Sequence, residues 1–401
     1  MDPCFLPPEI WRNIFRFATF TATSLNVMDW DRSRRNAALS YQSTLPTKKA
    51  LTLVSRKFRE MSLDYVFELV QIFNRHNAQR LLDTIREHTT YSSTGSSPAK
   101  LIKYIIVVPG AEEDSDLSLN EVWMKIFPFC TKLAGFATGW KSAERGPNGE
   151  KIDLSALMAS IPSSITTLEW HRTLSPRSFH SLRKHAALRN LRVSNLLPMS
   201  PEDHDVIIPF ITHLDVCIPM RNVPVSWWDL PSVSHLTLEW PERRHYKRLI
   251  GKSKDTIRSL YLAEPCRSKS NDFPWIVAKM PNLETFCYDI VLAGNEPTTF
   301  PSSWLGVGYH ASLTHIYLFC RGGGWDPAKR SFSEVRDSFS RHLQPLMTGH
   351  LTPLTVSIID THVVFGQGDF HEDGYEYASK QRFFDDLSAS LSSPDVQCIV
   401  K

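Results

Sequence analysis

The sequence predicts an α/β protein in which a short all-α segment precedes a solenoid of short parallel strands and helices. Two stretches with helical periodicity open the chain, and an apolar–x–x–apolar–x–apolar pattern then returns at steps of 22 to 30 residues. With 401 residues, 42% of them hydrophobic and 22% charged, the chain is long enough for two packed domains or for one elongated repeat array.

The first predicted helix begins at Pro7 and Pro8, whose fixed φ suits a first helical turn, and Glu9 faces the positive end of that helix. Its apolar positions cover far more than the stripe of about 100° that packing on one core requires. Something must therefore cover two sides of this helix. The apolar positions are Ile10, Trp11, Ile14, Phe15, Phe17 and Ala18.

A second helix is predicted to start near Thr47, which can cap it. Residues 21–46 mix Ser, Thr, Asn, Asp and Arg with little periodicity, so a long connection is expected before it. The apolar side chains of the second helix recur at three- and four-residue steps and should pack on the first helix. They are Leu51, Val54, Phe58 and Met61.

These two segments resemble the F-box over residues 5–62. The resemblance is carried by the run from Leu6 through Pro7, Pro8 and Glu9 to Ile10, with Ile14 and Phe15, and by the later run Leu51-Thr-Leu-Val-Ser-Arg-Lys-Phe58. Mushroom-type fungal F-box proteins are similar in having Phe at position 58, Ser at position 55 and an insertion such as residues 21–46. The resemblance implies that the helices insert into a Skp-type linker protein, which joins them to a cullin–RING ubiquitin ligase.

The resemblance also implies which residues pack on or face the linker protein. A plain helical hairpin, buried against the rest of its own chain, is the alternative interpretation of the same segment. The predicted division is an F-box domain at 1–62 and a substrate-binding domain at 63–401. The implied linker-binding residues are Leu6, Pro7, Glu9, Ile10, Ile14, Leu53, Val54 and Phe58.

The repeating pattern of the body has six clear copies and several weaker ones. Its period is close to that of leucine-rich repeats, about 20 to 29 residues, and the alternation that ends each triplet is typical of a strand with one buried face. A mixed α/β packing without regular curvature is the alternative. The clear copies are Leu188-Leu191-Val193, Ile211-Leu214-Val216, Val233-Leu236-Leu238, Ile257-Leu260-Leu262, Leu283-Phe286-Tyr288 and Leu313-Ile316-Leu318. Weaker copies include Phe67-Val70-Ile72, Leu101-Tyr104-Ile106, Leu133-Phe136, Ile165-Leu168-Trp170 and Leu351-Leu354-Val356.

Helix-sized segments lie between the predicted strands, which favours parallel pairing with right-handed crossovers. The segment Lys380 to Leu391 has Phe383, Phe384, Leu387 and Leu391 at helical spacing and is predicted to cap the end of the array.

Composition argues against several classes of function. Lys and Arg exceed Asp and Glu by only three, 45 against 42, and no basic run is interleaved with aromatic residues, so no nucleic-acid partner is expected. The seven cysteines include no C-x-x-C pair and indicate reduced thiols. No signal-like start and no apolar run long enough to span a membrane is found, so we expect a cytoplasmic or nuclear protein.

Motifs of catalytic chemistry are absent from the sequence. It contains no G-x-x-x-x-G-K-S/T phosphate loop, no G-x-S-x-G nucleophile elbow and no complete dinucleotide-binding loop. No cofactor, no metal and no enzymatic activity are therefore expected.

The expected function is that of a substrate-recognition adaptor in an Skp–cullin–F-box ligase, with a non-ligase scaffold as the alternative. Substrate capture is predicted on the strand face opposite the buried triplets, because side chains alternate along a strand. An ordinary solvated sheet face is the alternative for these positions. The candidate substrate-binding residues are Arg192, His213, Asp215, His235, Tyr261, Asp289, His315 and Tyr317.

Overall fold

The fold is that of a computed structural model. The chain divides into two compact units, Met1–His213 and Leu214–Lys401. The structure describes residues 6–19, 30–91, 97–108, 116–138, 154–174, 180–196, 206–217, 228–239, 249–263, 278–291, 310–321, 354–359 and 396–400, together with 382, 385, 386, 388, 389 and 392.

Three helices form the N-terminal segment, which we call the hook. Helix α1 spans Pro8–Ala18 and starts at the prolines, as the sequence predicts. Helix α2 spans Trp30–Val54, and α3 spans Arg56–Glu68. The predicted boundary between residues 62 and 63 lies inside α3.

The expectation of a long connection followed by one helix from Thr47 is wrong. Helix α2 already begins at Trp30 and runs through Pro46, although an internal proline removes one hydrogen bond and costs about 3 kcal/mol. The break comes instead at Ser55, whose Oγ accepts a hydrogen bond from the Phe58 N–H (3.1 Å) and caps α3. The apolar face predicted for one helix is thus divided between α2 and α3.

In the first unit, five strands pair in chain order, each parallel to the next. Helices connect several of them, and strand β6 (Val206–Ile207) also lies in this unit. The strands are β1 Leu69–Ile72, β2 Tyr104–Val107, β3 Gly135–Ala137, β4 Thr167–Leu174 and β5 Asn190–Leu196. The helices are α4 Arg75–Tyr91, α5 Asp116–Ile126 and α6 Ser155–Ser160, with short 3-10 turns at Pro98–Leu101, Phe127–Phe129 and Leu182–Lys184.

The second unit has the same plan. Strand β7 (His213–Cys217) starts at the boundary, and the order continues β7-β9-β10-β11-β12-β13-β14, with parallel pairing from β9 onward. The predicted α/β class with short parallel strands is confirmed for the chain, and parallel strands occur in both units. The remaining strands are β8 Trp228–Asp229, β9 His235–Glu239, β10 Ser259–Ala263, β11 Thr285–Val291, β12 His315–Arg321, β13 Leu354–Ile359 and β14 Val396–Val400.

All six clear triplets of the sequence pattern are buried in the core, with every member at most 3% exposed. Their middle residues align across the strands; in the second unit, Leu236, Leu260, Phe286 and Ile316 stand side by side. Stacking one apolar residue on the next along the sheet removes a continuous apolar surface from water, which is the main stabilising term of such arrays.

For two of the weaker triplets, those of β2 and β13, the observed alignment with the neighbouring strand differs from the predicted one. The buried residues are Ile102, just before β2, and Ile105 within it. Ile105 aligns with Val70, so the predicted set containing Tyr104 and Ile106 is displaced by one residue. A one-residue shift exchanges the two faces of a strand. In β13 it is Val356, not Leu354, that aligns with Ile316, although both are buried.

A single backbone contact recurs at the start of successive strands. The carbonyl of the residue before one strand accepts hydrogen bonds from two consecutive N–H groups at the start of the next: Thr166 and Thr167 donate to Ala134, and Arg189 and Asn190 donate to Thr166. In the second unit, Glu284 and Thr285 donate in the same way to Arg258. This contact sets each new strand in step with the one before it.

The C-terminal residues bond to the last strand. Ser388 Oγ donates to the Cys398 carbonyl (2.7 Å), and the Cys398 N–H donates to Ser392 Oγ (3.4 Å). Exposed strand edges invite pairing with other chains, and side-chain hydroxyls that occupy the edge reduce that tendency. This contact agrees with the predicted capping role of the segment from Lys380 to Leu391.

Replacing Ser388 by Ala should lower the free energy of unfolding by about 1 to 3 kcal/mol, because the Cys398 carbonyl loses its partner in a buried position. Urea denaturation of the full chain measures this change. Ser392→Ala is the matched control and should cost less: Ser392 is exposed, its contact with Cys398 N is long (3.4 Å), and its hydrogen bond to the Ser388 carbonyl (2.8 Å) can be replaced by water. An unchanged stability of Ser388→Ala would show that the hydroxyl does not cap this edge.

His185 is the basis of a pH prediction. It is 2% exposed, burial lowers its pKa, and the nearby carbonyls of Met158 and Pro162 offset that only in part. The folded state therefore binds this proton less readily than the unfolded state does. The free energy of unfolding should fall as the pH drops below the ordinary histidine value of 6.5.

The variant His185→Met tests this pH dependence. Met280 occupies the equivalent turn, where its carbonyl accepts from Leu283 N as that of His185 accepts from Leu188 N, so methionine fits such a position. Urea midpoints measured above and below pH 6.5 should diverge less in the variant than in the wild type. An equal loss of stability on acidification in both proteins would contradict the assignment to His185.

Candidate interaction surfaces

One face of helix α1 is anchored to helix α3 by three aromatic rings. The Phe58 ring lies 4.9 Å from that of Trp11 and 5.0 Å from that of Phe15, centroid to centroid. Tyr65 on α3 also donates a hydrogen bond to the Arg12 carbonyl (2.9 Å). Phe15 is only 1% exposed, so this side of α1 is the one that packs within the hook.

A second face of α1, about 100° around the helix from the packed one, is apolar and open to solvent. Leu6, Ile10 and Ile14 follow at steps of four residues and are 40%, 44% and 42% exposed, and Phe17 is 88% exposed. The excess of apolar positions noted in the sequence is therefore real, because one face is packed and the other is left uncovered in this chain.

The last turn of helix α2 adds to the exposed apolar side chains of the hook. Leu53 is 85% exposed and Val54 63%. Among the described residues eight large apolar side chains are exposed, and six of them lie in the hook; the other two are Phe73 and Ile207. We call the six the apolar docking surface. It consists of Leu6, Ile10, Ile14, Phe17, Leu53 and Val54.

The predicted linker-binding residues divide into two groups. Phe58 is half-buried in the aromatic cluster, where it holds α1 in place. The other seven are exposed and can meet a partner directly. They are Leu6, Pro7, Glu9, Ile10, Ile14, Leu53 and Val54.

The hook continues into the first strands without a linker. Helix α3 ends at Glu68 and β1 begins at the next residue. The Glu68 carboxylate accepts from Lys103 Nζ (2.9 Å), and the Glu68 carbonyl accepts from Lys103 N. Lys48 of α2 is buried with its Nζ 5.5 Å from the Tyr41 ring centroid; burial lowers the pKa of Lys48, and the charge of Glu68 opposes that shift.

The predicted substrate face is not the open sheet surface that alternation alone suggests. Arg192, Asp215, Tyr261 and Asp289 are 0%, 3%, 5% and 4% exposed. The expectation of solvent exposure is wrong for these four residues, since the strand face that carries them is itself buried.

Side-chain contacts hold part of this buried face together in the second unit. Tyr261 Oη donates to Asp289 Oδ1 (2.6 Å), and the Tyr261 and Phe319 ring centroids are 5.1 Å apart. Cys287 lies on the same face of the sheet, and burial together with the charge of Asp289 raises the pKa of its thiol. That thiol stays protonated and is a poor nucleophile.

The first unit contains a buried hydrogen-bonded chain that the sequence motifs did not reveal. His171 bonds through Nε2 to Glu169 Oε1 and through Nδ1 to Ser194 Oγ, and Arg192 Nη1 lies 3.9 Å from the same Glu169 oxygen. Ser194 lies on the neighbouring strand β5, so the spacing of residues in the sequence does not predict its contact with His171. Glu169, His171 and Ser194 are at most 5% exposed, so a substrate would have to displace packed side chains to reach them.

The other four predicted substrate residues are accessible. His315 is exposed, while His213, His235 and Tyr317 are half-buried. Each histidine shares a hydrogen bond through Nδ1 with the hydroxyl of the preceding residue, at 2.8 Å in His213 and 2.9 Å in His235 and His315. Burial lowers the pKa of His235, and Glu284 partly offsets this. These accessible residues lie at or near the N-terminal ends of their strands.

The described part of the chain shows no group of three or more His, Cys, Asp or Glu residues that could hold a metal ion. Within the same residues, no helix combines the length and the apolar character needed to cross a bilayer. Burial raises the pKa of the Cys130 thiol to about 12 and that of Cys398 to about 11, which keeps both thiols protonated.

Comparison with known proteins finds distant likenesses among solved structures. No family model and no curated protein matches this chain. Among solved structures, an internalin (InlF) from Listeria monocytogenes is 11% identical with a TM-score of 0.29, over 80% of this chain and 89% of that one. A likeness at that TM-score indicates neither the fold nor the function of this protein.

Proposed function

We propose that this protein is the substrate-recognition adaptor of a ubiquitin ligase of the Skp–cullin–F-box type, binding a Skp-type linker protein through the hook and a protein substrate through the repeats. The observation that carries the proposal is the apolar docking surface. Large apolar side chains exposed at regular steps along one helix face, as on α1, support binding of another macromolecule at that face.

The geometry of α1 supports a protein partner over a self-contained helical hairpin. A hairpin buried on its own chain would cover both apolar faces of α1, yet Ile10 and Ile14 are exposed while Trp11 and Phe15 on the other face are packed. Side chains at steps of three and four residues on one helix face are what a helix-binding groove recognises. The F-box resemblance supplies the identity of the proposed partner.

The junction between hook and repeats supports the adaptor role. An adaptor has to hold a substrate at a defined position relative to the ligase, and here α3 runs directly into β1 with Glu68 and Lys103 paired across the junction. In the proposed complex, the linker protein that binds the hook would therefore also fix the position of the first repeats. No catalytic step is assigned to the chain, because the cullin–RING complex would carry out the ubiquitin transfer.

Substrate contact is proposed for the accessible members of the predicted set, separately in each unit: His213 in the first, and His235, His315 and Tyr317 in the second. His315 and Tyr317 lie on one strand face with their rings stacked at 6.3 Å, which offers a flat, partly polar contact area. Arg192, Asp215, Tyr261 and Asp289 are left out of the proposal, because they are buried.

The double variant Leu6→Ala with Ile10→Ala should abolish binding of the purified Skp-type linker protein at concentrations where the wild-type chain binds it. Full burial of one such side chain contributes about 1.5 to 3 kcal/mol, so each truncation should weaken binding by about tenfold or more. The measurement is isothermal titration calorimetry with the full chain. Because both side chains are already exposed, the thermal stability of the free chain should change little.

The matched control is Phe73→Ala with Ile207→Ala, two side chains of similar exposure outside the hook, at 43% and 46%. This control should bind the linker protein as the wild type does. Full linker binding by the hook variant, or an equal loss in both variants, would falsify the assignment. If the linker binds but no cullin–RING complex joins it, the scaffold function replaces the ligase function.

A further inference from the structure

The parallel arrangement of the first unit brings the N-terminal ends of its strands to one edge of the sheet. Strands β2 to β5 all run in the same direction. The segments that lead into them therefore lie side by side along that edge. These lead-in segments are residues 98–103, 127–134, 161–166 and 182–189.

The lead-in segments carry charges of one sign. They contain six Lys and Arg residues and no Asp or Glu, and all six basic residues are exposed. We call this set the basic edge. Its members are Lys100, Lys103, Lys132, Arg183, Lys184 and Arg189.

Lys103 and Arg189 of the basic edge are held by defined contacts. Lys103 pairs with Glu68 (2.9 Å), which lies just before β1. Arg189 donates from Nη1 to the carbonyls of Ala186 (2.7 Å) and Leu188 (3.1 Å), which holds the guanidinium against its own turn without neutralising it. The Glu68 carboxylate thus reduces the positive charge of the edge at Lys103, while Arg189 keeps its charge.

The second unit shows that the fold does not require such a charge bias. Its lead-in segments 249–258 and 278–284 contain both signs, and Arg258 there pairs with Glu284 across neighbouring strands. The acidic residues of these two segments are Asp255 and Glu284, and the basic ones are Lys252, Lys254, Arg258 and Lys279. A one-signed edge is therefore a property of the sequence in the first unit, not of the repeat itself.

We propose that the basic edge binds an acidic segment of a partner protein, which lies across the strands of the first unit. Neighbouring strands are about 4.8 Å apart, so the three steps from Lys103 to Arg189 span about 14 Å. An extended peptide covers that distance in about four to five residues. Carboxylates along such a segment can pair with the basic residues that precede β2, β3 and β5; the lead-in segment of β4, residues 161–166, carries no charge.

The composition of the edge favours a peptide over a nucleic acid. Single-stranded nucleic acids are held by exposed aromatic rings that stack on the bases as well as by positive charge. Among the aromatic residues of the lead-in segments, Phe127 is buried and Phe129 half-buried, and none is exposed. Exposed Thr131 and Ser163 instead offer hydroxyl groups that can donate hydrogen bonds to carboxylates.

Fluorescence anisotropy of a labelled peptide of alternating Glu and Ser, titrated with the full chain, tests the proposal. Binding is expected, it should weaken as ionic strength rises, and the same peptide with Gln in place of Glu should not bind. The double variant Lys132→Glu with Lys184→Glu should weaken binding by about tenfold or more, since each reversal removes one attraction and adds one repulsion.

The matched control is Arg75→Glu with Arg80→Glu, which makes the same change of net charge at two exposed positions of α4. This control should leave the peptide affinity within about twofold of the wild type, because neither residue belongs to the lead-in segments and exposed charges interact weakly through salt solution. Equal weakening by both variants, or no binding of the Glu peptide, would overturn the proposal. Tighter binding of single-stranded poly-uridine, lost in the Lys132/Lys184 variant, would assign the edge to nucleic acid instead.

The inference does not depend on the proposed ligase function, because the basic edge and the apolar docking surface share no residue. Linker binding should persist in the variant Lys132→Glu with Lys184→Glu. If the Lys132/Lys184 variant loses the peptide but still binds the linker protein, the result supports the basic edge and leaves the ligase proposal untouched. If the Leu6/Ile10 variant loses the linker protein but still binds the peptide, the result supports the hook and leaves the edge proposal untouched.

Discussion

The recurring carbonyl that accepts two N–H groups from the next strand is the contact on which the rest of the structure depends. It joins Ala134 to Thr166 and Thr167 in the first unit and Arg258 to Glu284 and Thr285 in the second. Because side chains alternate along a strand, fixing the first residue of a strand fixes which face every later residue occupies. In each unit, the buried apolar ladder and the polar layer opposite it both follow from that step. The polar layer consists of the buried polar residues on that opposite face, among them Glu169, His171 and Arg192 in the first unit and Tyr261 and Asp289 in the second.

The polar layer changes where a partner can bind. A buried polar group is tolerated only when it is hydrogen-bonded, and the contacts of Tyr261 with Asp289 and of His171 with Glu169 and Ser194 meet that condition. Such a layer is held by specific contacts and is costly to open. The surface left accessible to a partner is therefore at the N-terminal ends of the strands and on the hook, which is where both proposals place their contacts.

Elements were predicted correctly from the sequence where burial of one face repeats apolar residues at a regular spacing. The six clear triplets, the start of α1 and its two apolar faces were all readable, because burial of a strand or helix face leaves its period in the chain. The shift in β2 arose because Leu101, Ile102, Tyr104, Ile105 and Ile106 are all apolar or aromatic, so neither face is marked as polar.

Other features depended on tertiary contacts and left no local sign. Pro46 indicates a helix end by itself, but α2 continues through it and packs against α3. Ser194 meets His171 only because two strands pair. The basic edge could not be read from net charge, since its residues are scattered from Lys100 to Arg189 and only the parallel topology brings them together.

The two surfaces differ in the physical force that each can use, and this separates their roles. Apolar contact at the docking surface is strengthened by salts that are excluded from protein surfaces, whereas attraction between the basic edge and carboxylates is screened as ionic strength rises. Apolar burial supplies affinity that persists, and exposed charge supplies orientation and speed of encounter more than affinity. Under the two proposals, a hook held by Leu6, Ile10 and their neighbours and an edge that binds an acidic segment reversibly would suit a protein that stays in one complex while its second partner is exchanged.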